Sequence, residues 1–518
     1  MSGAARITVV HGYFLHDSGS GTYVRELTRE LVHEGHDVTL VCQERSPELC
    51  DFIDSVYVLD AANARATLLG EARPPRYAGR CRLVRPNLGG RLLVYVEGAF
   101  PGFQRGQVKA FHDAPTGWIQ DYVAANVEAL RAVFAAWPTD LVLANHAMMQ
   151  PHVVKHALAG TAGGGAAPPG SAPAGGGAAV QGAAPYMVTV HGSELNFSVK
   201  HDPRLEPYTA DGLDDAVAIV TNSGTSAEDV VLWAGAHGLD IAEKTWVVTP
   251  GIDAETFSPA ADRVAAIDAV HREVELPAGF ELRPDDDILA FAGRLMWTKG
   301  IQHAVAALSL IAQRRPGVRL LVAGEGPARK PLERLAAHLS GGDTAGARRL
   351  ALAEPELQTL PEFGSVVPEP DVPEPGGHAG ELHVAFLDHL TPAQLARVFA
   401  AANVSLAPSI FPESLGLVTM EAMSAGALPI ASYHSGLMSV LDVVAESLAD
   451  PAFRALAPGA SLTTGIARVA MDVLDRYPTT DPAFRARLHD LSAQHFPSWE
   501  KVARRYLELA TGARRGRA

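Results

Sequence analysis

The stretch "RITVVHGYFLHDSGSGTYVRELTRELVHEGHDVTLVC", Arg6–Cys42, decides the fold. Two short β-branched runs, "RITVVH" (Arg6–His11) and "DVTLVC" (Asp37–Cys42), flank "TYVRELTRELVHEGH", where Val24, Leu27 and Leu31 recur at helical spacing. Buried strand, amphipathic helix and buried strand in that order predict a parallel crossover unit. The alternation continues through "RLLVYV" (Arg91–Val96), "DLVLAN" (Asp140–Asn145), "YMVTVH" (Tyr186–His191) and "AIVTNS" (Ala218–Ser223). A second series follows "VVTPGIDAETFSP": "DILAFAG" (Asp287–Gly293), "RLLVAG" (Arg319–Gly324), "HVAFLD" (His383–Asp388), "VSLAPS" (Val404–Ser409) and "LPIAS" (Leu428–Ser432). The expected class is α/β, with two Rossmann-like domains joined near Pro250–Pro259. Their bounds are 1–250 and 251–484, with a helical tail over 485–518.

A length of 518 residues suits two domains, and an apolar content of 47% suffices for two cores. The net charge of −15 argues against a nucleic-acid or anionic-membrane surface, which needs clustered Lys and Arg. Cys42, Cys50 and Cys81 are too few and too irregular for a disulfide framework or a zinc site. No run approaches the length of a membrane span, and the first residues lack a leader pattern. A cytoplasmic location is expected. Two segments break the rhythm. Thr161–Pro185 is low complexity, and Gly341–Glu381 is rich in Pro, Glu and Gly. Both read as insertions; each precedes a strand, so each should emerge at the amino edge of its sheet, away from the ligand side. "DDD" at Asp285–Asp287 reads as a solvated turn.

Four strand-to-helix corners carry unusual chemistry. In "HGYFLHDSGSGTYV", Gly19 and Gly21 precede a helix whose amides suit an anion, although seven residues separate His11 from Gly19. That spacing does not fit a nicotinamide fingerprint. In "TVHGSELNF", His191 leaves a buried strand ahead of a glycine. "FAGRLMWTKGIQHAV" places Arg294 and Lys299 in one loop, a planar fork and a point charge suited to a diphosphate. In "FPESLGLVTMEAMSAG", Glu413 and Glu421 bracket a helix start. On one helix they would stand about 80° apart, and "PESLG" disfavours helix before Gly416. Glu413 then belongs to the loop and Glu421 to the helix, with the amides of Leu415, Gly416 and Leu417 between them. Such an arrangement holds an anion at the helix start, with a hydroxyl-bearing group against each carboxylate.

These motifs, with "LVAGEGP" (Leu321–Pro327), resemble a retaining glycosyltransferase of the GT-B fold, family 4 type, across nearly the whole chain. The resemblance implies two Rossmann-like domains facing each other across a donor-binding cleft, with "FPSWEKVARRYLEL" in a last helix that returns to the first domain. It implies that Arg294 and Lys299 bind the donor diphosphate and support its departure, with no metal or other cofactor required. Glu413 would contact the transferred sugar and Glu421 the nucleotide ribose. The amides around Leu415, Gly416 and Leu417, and the loop at Gly19, would contact phosphates. His191 would lie near the reacting centre. The sequence departs from the family after "IAS": "SYHSGLMSVLDVVAES" stands where a glycine-rich loop and an acidic pair are common.

The expected reaction moves a hexose from a nucleoside-diphosphate sugar, uridine before guanosine, to a hydroxyl acceptor. The acceptor should bind the N-terminal domain, near the loops after His11, Val96 and Asn145, with Arg105, Lys109 and His112 as a candidate anion-binding spot. The helix after Gly21 mixes Arg25, Glu26, Arg29 and Glu30, which is no cationic membrane face and favours a soluble acceptor over a lipid. A sugar-nucleotide epimerase or phosphorylase of related fold, or a non-catalytic sugar-nucleotide-binding subunit, are the alternatives.

Overall fold

The computed structural model describes residues 3–16, 18–60, 65–95, 107–160, 184–368, 382–459 and 461–515. The chain divides into unit 1, Met1–Pro250 with Trp499–Ala518, and unit 2, Gly251–Ser498.

Unit 1 is built on a nine-stranded sheet. Its order is Thr245–Val247, Ala218–Thr221, Tyr186–Val190, Leu141–Asn145, Arg6–Val10, Asp37–Val41, Arg80–Pro86, Ser55–Asp60 and Arg65–Leu68. All neighbours are parallel except the last pair. The central strands are buried on both faces, as continuous apolar runs require when helices cover both sides. One expectation fails here. Leu92–Val94 leaves the main sheet and pairs with Val108–Ala110 in a two-stranded ribbon. Its place is taken by "RCRLVRP", Arg80–Pro86, whose arginines hid the strand from a hydrophobic reading. Arg82 pairs with Asp37 at 2.6 Å and lies over the Trp137 ring, so its charge is matched and its stem packed.

Unit 2 holds a five-stranded parallel sheet, ordered His383–Leu387, Val318–Ala323, Asp287–Ala292, Val404–Ala407 and Leu428–Ala431. Chain order reverses between Asp287–Ala292 and Val404–Ala407. Ligands of open α/β sheets bind in the crevice at such a reversal, beyond the carboxyl ends of the strands. Asp286 corrects the solvated reading of its turn: it is buried, 2.6 Å from the Arg319 guanidinium.

The segment 341–381 is not wholly an appendage. Asp343 caps a helix, Thr344–Ala353, and Ala347, Leu357, Phe363, Val366 and Val367 enter the unit 2 core. Nor does it stay at the amino edge. Gln302 Nε2, at the start of the helix Ile301–Ala312, donates to Gln358 O at 2.7 Å, and His303 Nε2 lies 2.8 Å from Thr359 Oγ1. That helix starts at the carboxyl edge, so the segment reaches the ligand side. Five apolar anchors in a Pro- and Glu-rich background explain the misreading. Residues 369–381 and 161–183, the rest of the two segments, lie outside the described residues.

The change of unit near the end falls at 498/499, not 484/485. Arg485, on the helix Pro482–His495, is buried in unit 2 and donates to the carbonyls of Ala402, Thr479, Phe399, Ala400 and Ala425. The next helix, Trp499–Arg515, packs in unit 1, where Tyr506 Oη lies 2.8 Å from both Tyr23 Oη and Thr189 Oγ1.

Candidate functional site

The loop after Asp287–Ala292 and the loop after Val404–Ala407 meet at the reversal of unit 2. Gly300 lets them meet. It has φ +67°, and a Cβ there would stand 1.8 Å from Pro408 O. Gly324 and Gly326, of "LVAGEGP", serve the same purpose on the other side: a Cβ would stand 2.0 Å from Gly293 O or 2.2 Å from Leu295 O. Leu295 is further tied by its N–H to Glu325 O at 2.8 Å and its carbonyl to Ala328 N at 2.9 Å. Only glycine admits such close crossing of backbones.

This packing brings Lys299 to Glu413, Nζ to Oε1 at 2.5 Å. Ser409 Oγ donates to the same carboxylate oxygen at 2.5 Å. Glu413 is also held by its backbone: its N–H donates to Ser435 Oγ at 2.9 Å and its carbonyl accepts from Gly436 N at 2.9 Å. A Cβ at Gly436 would stand 2.0 Å from Ser414 O, so this approach again needs glycine. Burial alone would raise the Glu413 carboxyl; the Lys299 ammonium, the Ser409 hydroxyl and His434 outweigh it and hold it below its ordinary value. His434 Nε2 donates to Ser409 O at 2.7 Å, and Phe363, from the segment read as an insertion, lies against its ring at 5.4 Å.

Glu413 lies in the loop and Glu421 on the helix Leu417–Ser424. Gly416, φ +87°, stands at the helix start with no side-chain cap, and Thr419 Oγ1 donates back to its carbonyl at 2.6 Å. First-turn amides of a helix have no intrahelical acceptors and carry the positive end of its dipole. Arg294 is half-buried in the same loop as Lys299. The departure at "SYHSGL" is thus a brace for Glu413. Ser409, Ser435, Gly436 and His434 escaped the sequence reading; the paired Ser-Gly of that departure was the available signal.

Unit 1 has its own reversal, between Arg6–Val10 and Leu141–Asn145. Its carboxyl ends carry His11, Asn145 and His146, with His191 beyond the adjacent strand. All four are buried. Asn145 Nδ2 donates to Val10 O at 3.2 Å, which leaves Oδ1 to accept from His191 Nε2 at 3.1 Å. Glu194, fully buried, accepts from Ala147 N at 2.8 Å and His191 N at 3.0 Å, and its other oxygen lies 3.3 Å from His146 Nδ1. Burial and His146 push His191 down to about 3, against the opposing pull of Glu194. Burial would raise Glu194, but His146, His191 and the Ala147 amide bring it to about 2. His191 is therefore a neutral hydrogen-bonding group at pH 7. Glu194 was legible only as the last letter of "VTVHGSE".

Gly19 and Gly21 do not precede the helix but begin it. Ser18 caps Gly19–His33 by accepting from Gly21 N, so the first turn includes both glycines. A Cβ at Gly21 would stand 2.6 Å from Phe14 O, whereas Gly19 has open space around it. The charges after Gly21 pair among themselves: Arg25 with Glu26, and Arg29 with Glu26 and Glu30. Of the acceptor candidates, the two described ones have different partners. Lys109 lies over Trp118 at 4.9 Å, and His112 pairs with Asp113 at 3.3 Å. Arg105 and Val96 lie outside the described residues. Among the described residues one group, His152, His156 and Asp211, could hold a metal ion, on helices of unit 1 that carry no predicted site residue. No described helix is long and apolar enough to cross a membrane.

The chain is similar to known glycosyltransferases. The family model of glycosyl transferases group 1 matches residues 275–345 and 378–443, skipping most of the segment that braces His434. The D-inositol 3-phosphate glycosyltransferase of Segniliparus rotundus is 32% identical over 211 residues, 40% of this chain and 36% of that protein. The protein of the same name from Corynebacterium glutamicum is 29% identical over 228 residues, 43% of each. This chain thus spans well under half the length of these curated relatives. Among solved structures, sucrose-phosphate synthase from Thermosynechococcus elongatus aligns with a TM-score of 0.60 at 19% identity, covering 98% of each chain. HepE of Anabaena, solved with UDP and glucose, aligns with a TM-score of 0.56 at 13% identity, covering 98% of this chain and 99% of its own. The fold is GT-B.

Proposed function

We propose that this chain, whose C-terminal unit carries a group 1 glycosyltransferase domain, is a retaining glycosyltransferase that moves a hexose from a nucleoside-diphosphate sugar to a hydroxyl acceptor. The observation that carries the reading is the Lys299–Glu413 pair at the reversal of the unit 2 sheet, beside an uncapped helix start. A diphosphate there would meet Lys299, Arg294 and the amides of Gly416 and Leu417. Glu413 would accept from sugar hydroxyls and Glu421 from the ribose.

In the reaction the bond between the anomeric carbon and the diphosphate oxygen breaks, and the acceptor oxygen bonds to the same face of that carbon. The acceptor proton passes to the departing diphosphate. Negative charge grows on the leaving group, and fixed cations and amides aimed at it stabilise the transition state more than the ground state. Arg294, Lys299 and the helix start supply that charge, so the proposal requires no metal. Glu413 is held on both sides by Ser435 and Gly436, which fixes the sugar relative to the clamp. His191, neutral at pH 7, is assigned a hydrogen-bonding rather than a proton-shuttling role. A uridine carrier is favoured over guanosine on its frequency in this family. The names of the curated relatives suggest a phosphorylated polyol among the first acceptors to try.

Lys299→Ala tests the clamp. It should lower kcat/KM for the best donor by about 10²–10³-fold, the usual loss when one stabilising donor is removed. Far-UV circular dichroism of the variant should match that of the parent, which separates loss of turnover from loss of fold. Near-parental turnover would overturn the assignment.

A further inference from the structure

We propose that His152, His156 and Asp211 form a binding site in unit 1 for one borderline divalent cation, Zn²⁺ foremost. His152 and His156 lie four residues apart on the helix Gln150–Gly160, a spacing that puts both rings on one face. Their centroids are 4.3 Å apart. Asp211 comes from a second helix, Glu206–Asp214. His152 Nδ1 lies 2.6 Å from Asp211 Oδ2, and His156 Nε2 lies 3.0 Å from the same oxygen. Three donor atoms on two elements thus converge on one point.

The convergence is enforced by the backbone. Gly212, next to Asp211, passes so close to the first helix that a Cβ would stand 2.7 Å from His152 N. Its carbonyl is held by Tyr186 Oη at 2.8 Å. Tyr208 packs edge-on against His152 at 5.0 Å and fixes that ring, which is buried, while His156 and Asp211 keep about a third of their surface open to solvent. Two imidazoles, one carboxylate and an open side make the donor set of a four-coordinate zinc with one exchangeable position. Tetrahedral bonds of ~2.0–2.1 Å place neighbouring ligand atoms about 3.3 Å apart, so admitting the ion lengthens each of the two contacts to Asp211 by less than about 1 Å, and all three ligand atoms already lie within 4.8 Å of one another. The two ring nitrogens that face Asp211 become ligands once the neutral rings carry their protons on the opposite nitrogens.

Lys155 is the resident competitor. Its Nζ sits 2.7 Å from Asp211 Oδ1 and 2.9 Å from Asp215 Oδ2. Asp215 can keep the ammonium when Asp211 turns to the metal, so the cation is displaced without being stranded.

The test is titration of the chelator-stripped full chain with zinc chloride, followed by calorimetry and by competition with a chromophoric chelator. The parent should bind one equivalent and melt at a higher temperature with zinc than without. His156→Ala and Asp211→Asn should each weaken binding by more than the 10–100-fold that loss of an outer-shell partner costs. Lys155→Met removes the competitor and should tighten binding several-fold. His156 keeps about a third of its side chain open to solvent, and far-UV circular dichroism checks that its variant folds as the parent does. No equivalent bound by the parent, or unchanged binding in His156→Ala and Asp211→Asn, would overturn the site; unchanged affinity in Lys155→Met would overturn the exchange with Lys155. Donor loops of unit 2 share no residue with this cluster, so failure here leaves the proposed transferase reading untouched.

Discussion

The two sheets reverse their strand order in the same way, yet the carboxyl edges at the two reversals are built from opposite materials. In unit 1 the edge is closed to solvent: His11, Asn145, His146, His191 and Glu194 are all buried, with Glu194 tied to His146 and to the His191 amide and Asn145 to the His191 ring. In unit 2 it is partly open, with Lys299 and Glu413 a third and a fifth exposed beside an uncapped helix start. One fold therefore serves two tasks. A packed, buried hydrogen-bonding network around a single carboxylate fixes geometry, whereas an accessible ion pair beside an uncapped helix start can exchange partners with an anionic ligand.

Acid should break the comparison first in unit 1. His11 is pushed well below its ordinary range by burial and by His146, and His191 is pushed to about 3. Between about 6.5 and 3 the unfolded chain binds protons at these positions that the folded chain does not, so stability falls as pH drops through that window. Each such histidine contributes a slope of up to about 1.4 kcal/mol per pH unit. Glu194, at about 2 in the fold, adds a loss as pH falls from 4.5 toward 2. Unit 2 has His303, pushed to about 3 by burial between Thr359 and Thr463, as a counterpart. Hydrogen exchange read by mass spectrometry between pH 7 and pH 4 should show the strands of unit 1 opening before those of unit 2.

Glu194→Ala sharpens the same contrast. It orphans the His191 and Ala147 amides in a dry site, at a cost of about 3 kcal/mol or more. Chemical denaturation should show the loss confined to unit 1. A stability change under about 1 kcal/mol would mean that Glu194 does not organise the cluster.

The smallest effect is expected at the helix start of unit 2. Gly416→Ala forces a positive φ on a residue with a Cβ that would meet Leu437 Cδ2 at 2.5 Å. The strain is about 1–3 kcal/mol, and relieving it would shift the amides of Gly416 and Leu417. Weakened nucleotide affinity with most of the melting temperature retained is the expected result.

What was legible in the sequence follows from where the determining forces act. Five strands of unit 2 were readable because each is short, mostly apolar and followed by a loop or helix in the alternating pattern. The placement of Glu413 and Glu421 was readable because Gly416 stands between them and breaks the helix locally. Arg80–Pro86 was hidden because Asp37 and Trp137, distant in sequence, make Arg82 acceptable in a strand. The brace on Glu413 was hidden for the same reason: Ser435, Gly436, His434 and Phe363 come from two other segments, and nothing local announces that they meet. Gly19 and Gly21 misled because a glycine pair reads as a loop, while Ser18 had already capped the helix. The His191–Glu194 network lay within one motif, but its burial depends on Asn145 and His146 from the neighbouring strand.

The central claim is that unit 2 holds the donor with Glu413 on the sugar and the cationic clamp on the diphosphate. Isothermal titration of UDP and of UDP-glucose into the parent and into Glu413→Gln tests it most directly, with GDP and GDP-mannose as the second pair. The variant should keep the parent's affinity for the free nucleotide and lose the increment that the sugar adds. An unchanged sugar increment in the variant, or equal weakening of nucleotide and nucleotide sugar, would contradict it.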